Sequence, residues 1–473
     1  METQNDEYLI DIDSEIPLNF KFNNPHSNFS IEKNGNRIKL KSQMPVSTFT
    51  THANKNIVKL KDKFSFFYVF NKEALAPYKD YYKKKYDEVI NSKLPQFLVD
   101  NKIFKSINRA ETEVALRRGI GDYINFLNQK VRYFGDWRTH DGGFFPQRYD
   151  KVEKNRYGDC KDFSSILTSV LRANGYDAFP LFVYRGKEYI RNDHPFLADS
   201  VYNHVIVGVN TKYSEEPLFF DPTNDVAYTG DVPTDISGRD AYPILGKGYA
   251  LMNIPKSDLS KNKIIAISDV IVERSNENNI YVTYSGESAI EMTKGVQVIG
   301  EDKIRDWFVK LFKDELVNVE ILNIDFKDQY DPVNPKFELI VKKAHIPSFW
   351  GKTNLGKIVY PNKFLEKMYG RHPVMTDDDL REYGFHTLSG MGTYEFITRI
   401  YNFKADDVEK LNCKVDHDTL PFEETYKMDG EIFIATRKYS IKNRYFPHLK
   451  NKDSIKDILD INQCVMLRSV VGY

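Results

Sequence analysis

The stretch from Asp159 to Gly175 constrains the fold more than any other part of the chain. Phe163, Ile166, Leu167, Val170 and Leu171 recur at spacings of three and four, the apolar stripe of a helix laid on a core. Asp159 is a natural N-cap with Asp162 three residues on, and Gly175 is a natural stop. A helix is therefore expected over this stretch, with Cys160 as its first residue.

At that position the unpaired backbone N–H groups and the positive end of the helix dipole favour an anion, here the thiolate. The thiolate is the species that attacks an acyl carbon. Free cysteines are also among the most buried and inert side chains, so the position has meaning only if a base is at hand.

The chain supplies one. Tyr176 to Tyr184 reads as a strand, a second begins near His204, and a third, Leu218 to Asp221, ends before Pro222. Residues 210–217 read as the hairpin connection between the last two. Folding that hairpin about Lys212 and Tyr213 sets His204 opposite Asp221. A carboxylate on one imidazole nitrogen leaves the other free to face a thiol. Singly, His204 fits a structural histidine and Asp221 a turn former before proline; together with Cys160 they have the order nucleophile, base, orienter.

Gly158-Asp159-Cys160-Lys161-Asp162, the helix end Leu171-Arg172-Ala173-Asn174-Gly175-Tyr176-Asp177-Ala178, the Asn203-His204-Val205 strand and Phe220-Asp221-Pro222-Thr223 resemble the core of the transglutaminase-like superfamily. The resemblance covers roughly residues 110–255. The wider layout is similar to bacterial proteins in which such a core is flanked by β-rich domains of unknown function, with Val131-Arg132-Tyr133 and Arg371-His372-Pro373-Val374 as weaker parts of the pattern.

The resemblance implies a papain-like α+β core, with the cysteine helix against an antiparallel sheet that bears histidine and aspartate. It implies attack of the thiolate on an amide or ester carbonyl of a peptide or protein substrate. The resulting thioester is released to water by a peptidase or amidase, or to an amine in crosslinking. In this reading Cys160 is the nucleophile, His204 shuttles the proton, and Asp221 holds the imidazole tautomer. The oxyanion would take the Cys160 backbone N–H, with the Trp137 indole and the Gln147 amide as candidates for the second donor; each fits packing or loop structure as well.

Other polar clusters point elsewhere only weakly. His140-Asp141 and Asp193-His194 lack a third ligand at helical or hairpin spacing, and Asp221 to Asp225 lacks the length, glycine and closing glutamate of an EF-hand loop. No metal and no cofactor is expected. Lys83-Lys84-Lys85 reads as the solvated face of a helix. Cys413 has Asp416, His417 and Asp418 nearby but no helix start or hairpin to activate it, and Cys464 has no such neighbours. Both read as packing residues, and three cysteines without a C-x-x-C pair suggest neither a disulfide framework nor a zinc site.

A chain of 473 residues exceeds the roughly 250–300 residues that one core can serve, so two to four domains are expected. The first 70 residues alternate short apolar runs with turn formers such as Asn34-Gly35-Asn36, and a tyrosine- and lysine-rich helix follows from Lys72 to about Leu94. An amphipathic helix from about Ala110 to Tyr133 places Val114, Ile120, Tyr123, Ile124, Leu127 and Val131 on one face. After Ile254 strand-like alternation returns, broken by a helix from about Glu301 to Leu316. The divisions read are an N-terminal β-rich region with a linking helix (1–95), a catalytic core (96–255) and a C-terminal β-rich domain (256–473).

Lysine and arginine balance aspartate and glutamate at 67 each, so no net field draws nucleic acid or an anionic membrane. The acidic, polar start Met1 to Glu7 has no secretory signature, and no stretch approaches about 18 uncharged apolar residues. As written the chain reads as soluble and cytoplasmic; export after removal of a leader is the alternative. A rival reading keeps the core as a fold only, in a binding or scaffolding protein.

Overall fold

The computed structural model describes residues 5–6, 9–13, 18–23, 29–35, 37–42, 46–47, 65–70, 75–135, 145–186, 202–244, 252–271, 277–300, 303–309, 323–345, 350–353, 356–359, 385–386, 391–418, 420–442, 445–446, 460–461, 463–464 and 470–472. It has a mixed α+β fold with helices packed against sheets. Near the N-terminus, Phe29–Asn34 and Arg37–Ser42 form a hairpin joined by Leu9–Asp13, and Leu18–Asn23 pairs with Ser65–Phe70. Gly35, at φ +58°, opens the tight turn expected there. The strand expected at Ile57 to Leu60 lies outside the described residues.

Among the described residues five α-helices precede the central sheet: α1 (Leu75–Ile90), α2 (Asn101–Asn108), α3 (Glu113–Lys130), α4 (Tyr149–Asn155) and α5 (Cys160–Ala173). The sheet comprises β1 (Asp177–Val183), β2 (His204–Asn210), β3 (Leu218–Phe220), β4 (Asp240–Pro243) and β5 (Met252–Asn253), ordered β3-β2-β1-β4-β5 and antiparallel throughout. Ala178, Val207, Val209 and Phe220 pack with Ile120, Ile124, Phe163, Leu167 and Leu171 of α3 and α5. Phe179, Leu181, Val183 and Ile206 pack on the other side with Val232, Ile236 and Ile254. The period-two alternation thus feeds two cores, one on each face.

On α3 the apolar face is the one the sequence leads one to expect, except at Val114. Val114 is 46% exposed, whereas Leu116, Ile120, Tyr123, Ile124 and Leu127 are buried. Thr112 caps this helix by accepting from Ala115 N at 3.2 Å, so Val114 falls in a first turn that still faces solvent. On α1, Tyr82 and Tyr86 are buried and Tyr81 is partly exposed, as the tyrosine spacing requires of a helix covered on one side.

Among the described residues the C-terminal sheet has eight strands. β6 (Lys263–Ile271), β7 (Glu277–Ser285), β8 (Asn323–Gln329), β9 (Lys336–His345), β10 (Gly392–Tyr401), β11 (Cys413–Val415), β12 (Phe422–Asp429) and β13 (Ile432–Ile441) are ordered β8-β9-β7-β6-β10-β13-β12-β11. Only the β6–β10 contact is parallel. One face carries a core of Val282, Phe337, Phe396 and Tyr439, covered by α6 (Glu287–Ile299) and by a helix over 303–309. Ile304 and Phe308 of the latter are buried as expected; Leu311 and Phe312 lie outside the described residues. The sequence pattern did not reveal α6, whose apolar stripe is narrow.

The cysteines require a correction. Cys413 and Cys464 are not separate packing residues: they form a disulfide, with Cα atoms 6.0 Å apart across 51 residues of sequence, and Cys160 is the free thiol. Cys413 opens the edge strand β11, and Cys464 packs with Ile461 into the core of the same sheet. Such a pairing depends on tertiary packing alone and has no sequence spacing to announce it.

Candidate active site

Helix α5 is buried from Cys160 through Leu171, on its polar side as well as its apolar stripe. That is possible because three of its four hydroxyls find carbonyl partners: Ser164 Oγ donates to Val205 O at 2.9 Å, Thr168 Oγ1 to Ser164 O at 2.7 Å, and Ser169 Oγ to Ile90 O at 2.8 Å. The Ser169 bond ties α5 to the end of α1, and the Ser164 bond ties it to β2 one residue after His204.

The start of α5 is held by a reciprocal capping box. Asp159 accepts from Lys161 N at 3.0 Å, and Asp162 Oδ2 accepts from Asp159 N at 2.8 Å. Gly158 is required in front of it, since a Cβ there would come within 2.8 Å of Asp162 Cβ. The Lys161 ammonium, almost wholly buried, pairs with Asp159 Oδ2 at 2.5 Å. Burial, then the Asp159 charge, pushes the Asp162 carboxyl up to about 6 against the bonds it accepts from Asp159 and Gln147.

Strand β2 begins at His204, paired with Val183 of β1. The β2–β3 register differs from the sequence expectation: Val207 faces Phe220 and Val209 faces Leu218, so Asp221, just past β3, falls level with Ile206 and not with His204. The two side chains still meet, on a diagonal of the same sheet face, with His204 Nε2 2.8 Å from Asp221 Oδ2. That leaves Nδ1 on the side away from the carboxylate, and the neighbouring Cys160 thiol helps to hold the ring's charge. Cys160, His204 and Asp221 are all buried.

Burial opposes charge on His204, but the Asp221 carboxylate and its hydrogen bond, with the neighbouring Cys160, outweigh it and push the imidazole up to about 10. Burial would raise Asp221; the His204 and Arg185 charges and the bonds from His204 and Thr223 hold its carboxyl well below the usual range. Thr223 supplies two of those contacts, its N–H at 3.0 Å and its hydroxyl at 2.7 Å, both to Asp221 Oδ1.

Arg185 was not singled out in the sequence. It lies two residues past β1 and reaches across the end of β2, with Nη1 3.0 Å from Asp221 Oδ2. Its neighbour in the sequence motif, Asn203, could have suggested it: the Asn203 side chain accepts from Arg185 N at 2.7 Å and donates to Arg185 O at 2.9 Å. Tyr133, from the Val131-Arg132-Tyr133 run, also lies beside the helix start. Its short strand pairs with Tyr157–Gly158, and its ring meets Phe163, one turn along α5 from Cys160.

Of the oxyanion candidates, Trp137 lies outside the described residues. Gln147 is tied to the helix start: its backbone N–H donates to Asp162 Oδ1 at 2.6 Å and its side-chain Nε2 to Asp162 Oδ2 at 2.9 Å. His140-Asp141, Asp193-His194 and Arg371 to Val374 also lie outside the described residues. Among the described residues no group of three or more His, Cys, Asp or Glu side chains is placed to hold a metal ion. No helix among them is long and apolar enough to cross a membrane.

No family model matches the chain, and no curated protein does. A solved structure does. It is a protein from Parabacteroides distasonis described as a putative protease, matched over 99% of this chain and 72% of that one, with a TM-score of 0.51 and 9% sequence identity. At that identity the likeness is one of fold alone: the chain shares its overall fold with that protein.

Proposed function

We propose that this protein is a cysteine-dependent acyl-transfer enzyme built on a papain-like core of the transglutaminase-like kind, acting on an amide of a peptide or protein. The supporting observation is the line Asp221–His204–Cys160 at the N-terminus of a buried helix, with one imidazole nitrogen on the carboxylate and the Cys160 thiol beside the same ring. The fold shared with a protein described as a protease points the same way. The core is assigned to 96–255, joined to the N-terminal β-rich region (1–95) by α1 and followed by the C-terminal β-rich domain (256–473).

In this mechanism the Cys160 proton resides on His204, whose charge Asp221 stabilises. The sulfur attacks the carbonyl carbon, forming the S–C bond as the C=O π pair moves onto oxygen. Collapse breaks the C–N bond, and His204 gives its proton to the leaving amine. The thioester is then cleaved by water or by a second amine, which returns a proton through His204 to the thiol. The oxyanion donors in this reading are the Cys160 backbone N–H and a group from Trp137 or Gln147.

The second reading, a non-catalytic binding protein that keeps the fold, is favoured by one observation: Cys160 has no exposed surface. Limiting iodoacetamide near neutral pH separates the two. Preferential labelling of Cys160 that is lost in His204→Ala supports the enzyme; labelling equal to that of an ordinary thiol, or none, rejects it. Incubation with a glutamine-containing protein, with and without a primary amine, then distinguishes crosslinking from hydrolysis. On location, the Cys413–Cys464 bond supports the exported alternative, because cytosolic thiol pools keep such pairs reduced.

A further inference from the structure

We infer that Arg185 is a positioning residue of this site: it fixes the Asp221 carboxylate toward His204. The inference rests on the reading of Cys160, His204 and Asp221 as a catalytic line and extends it to a fourth side chain.

The geometry is specific. Arg185 Nη1 approaches the same Asp221 oxygen, Oδ2, that takes the His204 Nε2 hydrogen bond, at 3.0 and 2.8 Å respectively. Nη1 also donates to Thr223 Oγ1 at 2.9 Å, and that hydroxyl donates onward to Asp221 Oδ1 at 2.7 Å. Nη2 donates to Asn224 Oδ1 at 2.8 Å, and Nε to Asp235 Oδ2 at 2.7 Å. One planar guanidinium thus joins the end of β1, the turn after β3 and the turn that carries Asp235. A lysine has the charge but not the fork. Asn203, the residue before His204, clamps the Arg185 main chain at both its N–H and its carbonyl.

Each acceptor of Asp221 is therefore shared between a donor of the imidazole or turn and this network. With Oδ2 held on the guanidinium and Oδ1 on Thr223, the carboxylate cannot rotate away from His204. A second cation on Oδ2 also weakens the pull of Asp221 on the imidazolium, since like charges nearby disfavour the charged form. The other groups facing this pair are the Cys160 thiol on His204, and Asp235 and the Tyr133 phenol on Arg185.

The test follows the alkylation rate of Cys160 by iodoacetamide from pH 6 to 11, read by mass spectrometry of its peptide, in the full chain and in His204→Ala, Arg185→Met, Arg185→Lys and Asn203→Ala. The wild type is expected to show a basic inflection that His204→Ala lacks. In Arg185→Met the inflection moves to higher pH by about half a unit or more, as loss of a neighbouring cation requires, and the rate below it drops. Arg185→Lys restores the position of the inflection but not the rate. Asn203→Ala, which keeps the charge and loosens the clamp, lowers the rate without moving the inflection, and it carries the test if Arg185→Met does not fold. An Arg185→Met profile that superimposes on the wild type overturns the inference, as does wild-type behaviour of Asn203→Ala where that variant stands in. If wild type and His204→Ala superimpose, the catalytic reading itself fails and takes the inference with it.

Discussion

His204 and Asp221 bond at 2.8 Å although they are not cross-strand partners: the β2–β3 register places Asp221 level with Ile206, and the side chains meet on the diagonal. Asp221 is the shared counter-charge for both His204 and Arg185. Replacing it with alanine takes the carboxylate from the imidazolium and one of the two carboxylates from Arg185, which keeps Asp235. Asp221→Ala is expected to lower acyl-transfer rates by about 100-fold or more, the scale of a general acid–base contribution. It is also expected to cost about 3–5 kcal/mol, the scale for breaking a buried pair. Urea unfolding and Cys160 alkylation read the two effects separately; a variant with wild-type stability and reactivity would count against the whole line.

The helix start offers a graded series. Asp159→Ala removes both the cap acceptor and the carboxylate facing the buried Lys161 ammonium, while Asp159→Asn keeps an acceptor for the cap. The alanine variant is expected to lose more than the 0.5–2 kcal/mol typical of a cap alone, about 3 kcal/mol or above, and the asparagine variant less. Gly158→Ala drives a Cβ into Asp162 and is expected to cost about 1–3 kcal/mol by overpacking. Denaturant midpoints order the three; an Asp159→Ala variant no weaker than Asp159→Asn would show that the lysine pair contributes nothing.

The pH dependence of stability has a definite sign. The His204 imidazole ordinarily titrates near 6.5 and is raised to about 10 in the folded chain, so the folded state holds a proton that the unfolded state gives up between those values. Its contribution is complete below 6.5 and is lost as pH rises through 10. Asp221, depressed in the fold, behaves oppositely, and its contribution is lost only in acid. Urea midpoints at pH 6, 8 and 10 are expected to fall in the wild type and to flatten across this window in His204→Gln. An equal slope in both proteins would mean that the imidazole is not held charged.

How much of this was legible in the sequence follows from the range of the interactions involved. The start of α5, its cap and its stop are set by contacts within four residues, and they were read from Asp159, Asp162 and Gly175. The diagonal meeting of His204 and Asp221 depends on hairpin register, which a loop of polar residues does not specify, so the partners were found but their rungs were not. Arg185 reaches Asp221 across 36 positions through a strand end and two turns, and nothing periodic marks it. The burial of the polar side of α5 was equally hidden, because serine and threonine hydroxyls that bond to carbonyls look, in sequence, like a solvated face.

The disulfide makes the last prediction. Cys413 and Cys464 close a loop across 51 residues on the edge of the C-terminal sheet, while Cys160 remains free in a different core. Alkylation of the unfolded, unreduced chain is expected to add one label, on Cys160, and prior reduction to raise this to three. Because the bond restricts the unfolded chain, Cys413→Ala paired with Cys464→Ala is expected to lower stability by about 2–4 kcal/mol. The loss should appear in unfolding of the C-terminal sheet, since neither cysteine touches α5. Three labels without reduction would show the pair to be open, and with it would go the support that the bond gives to export.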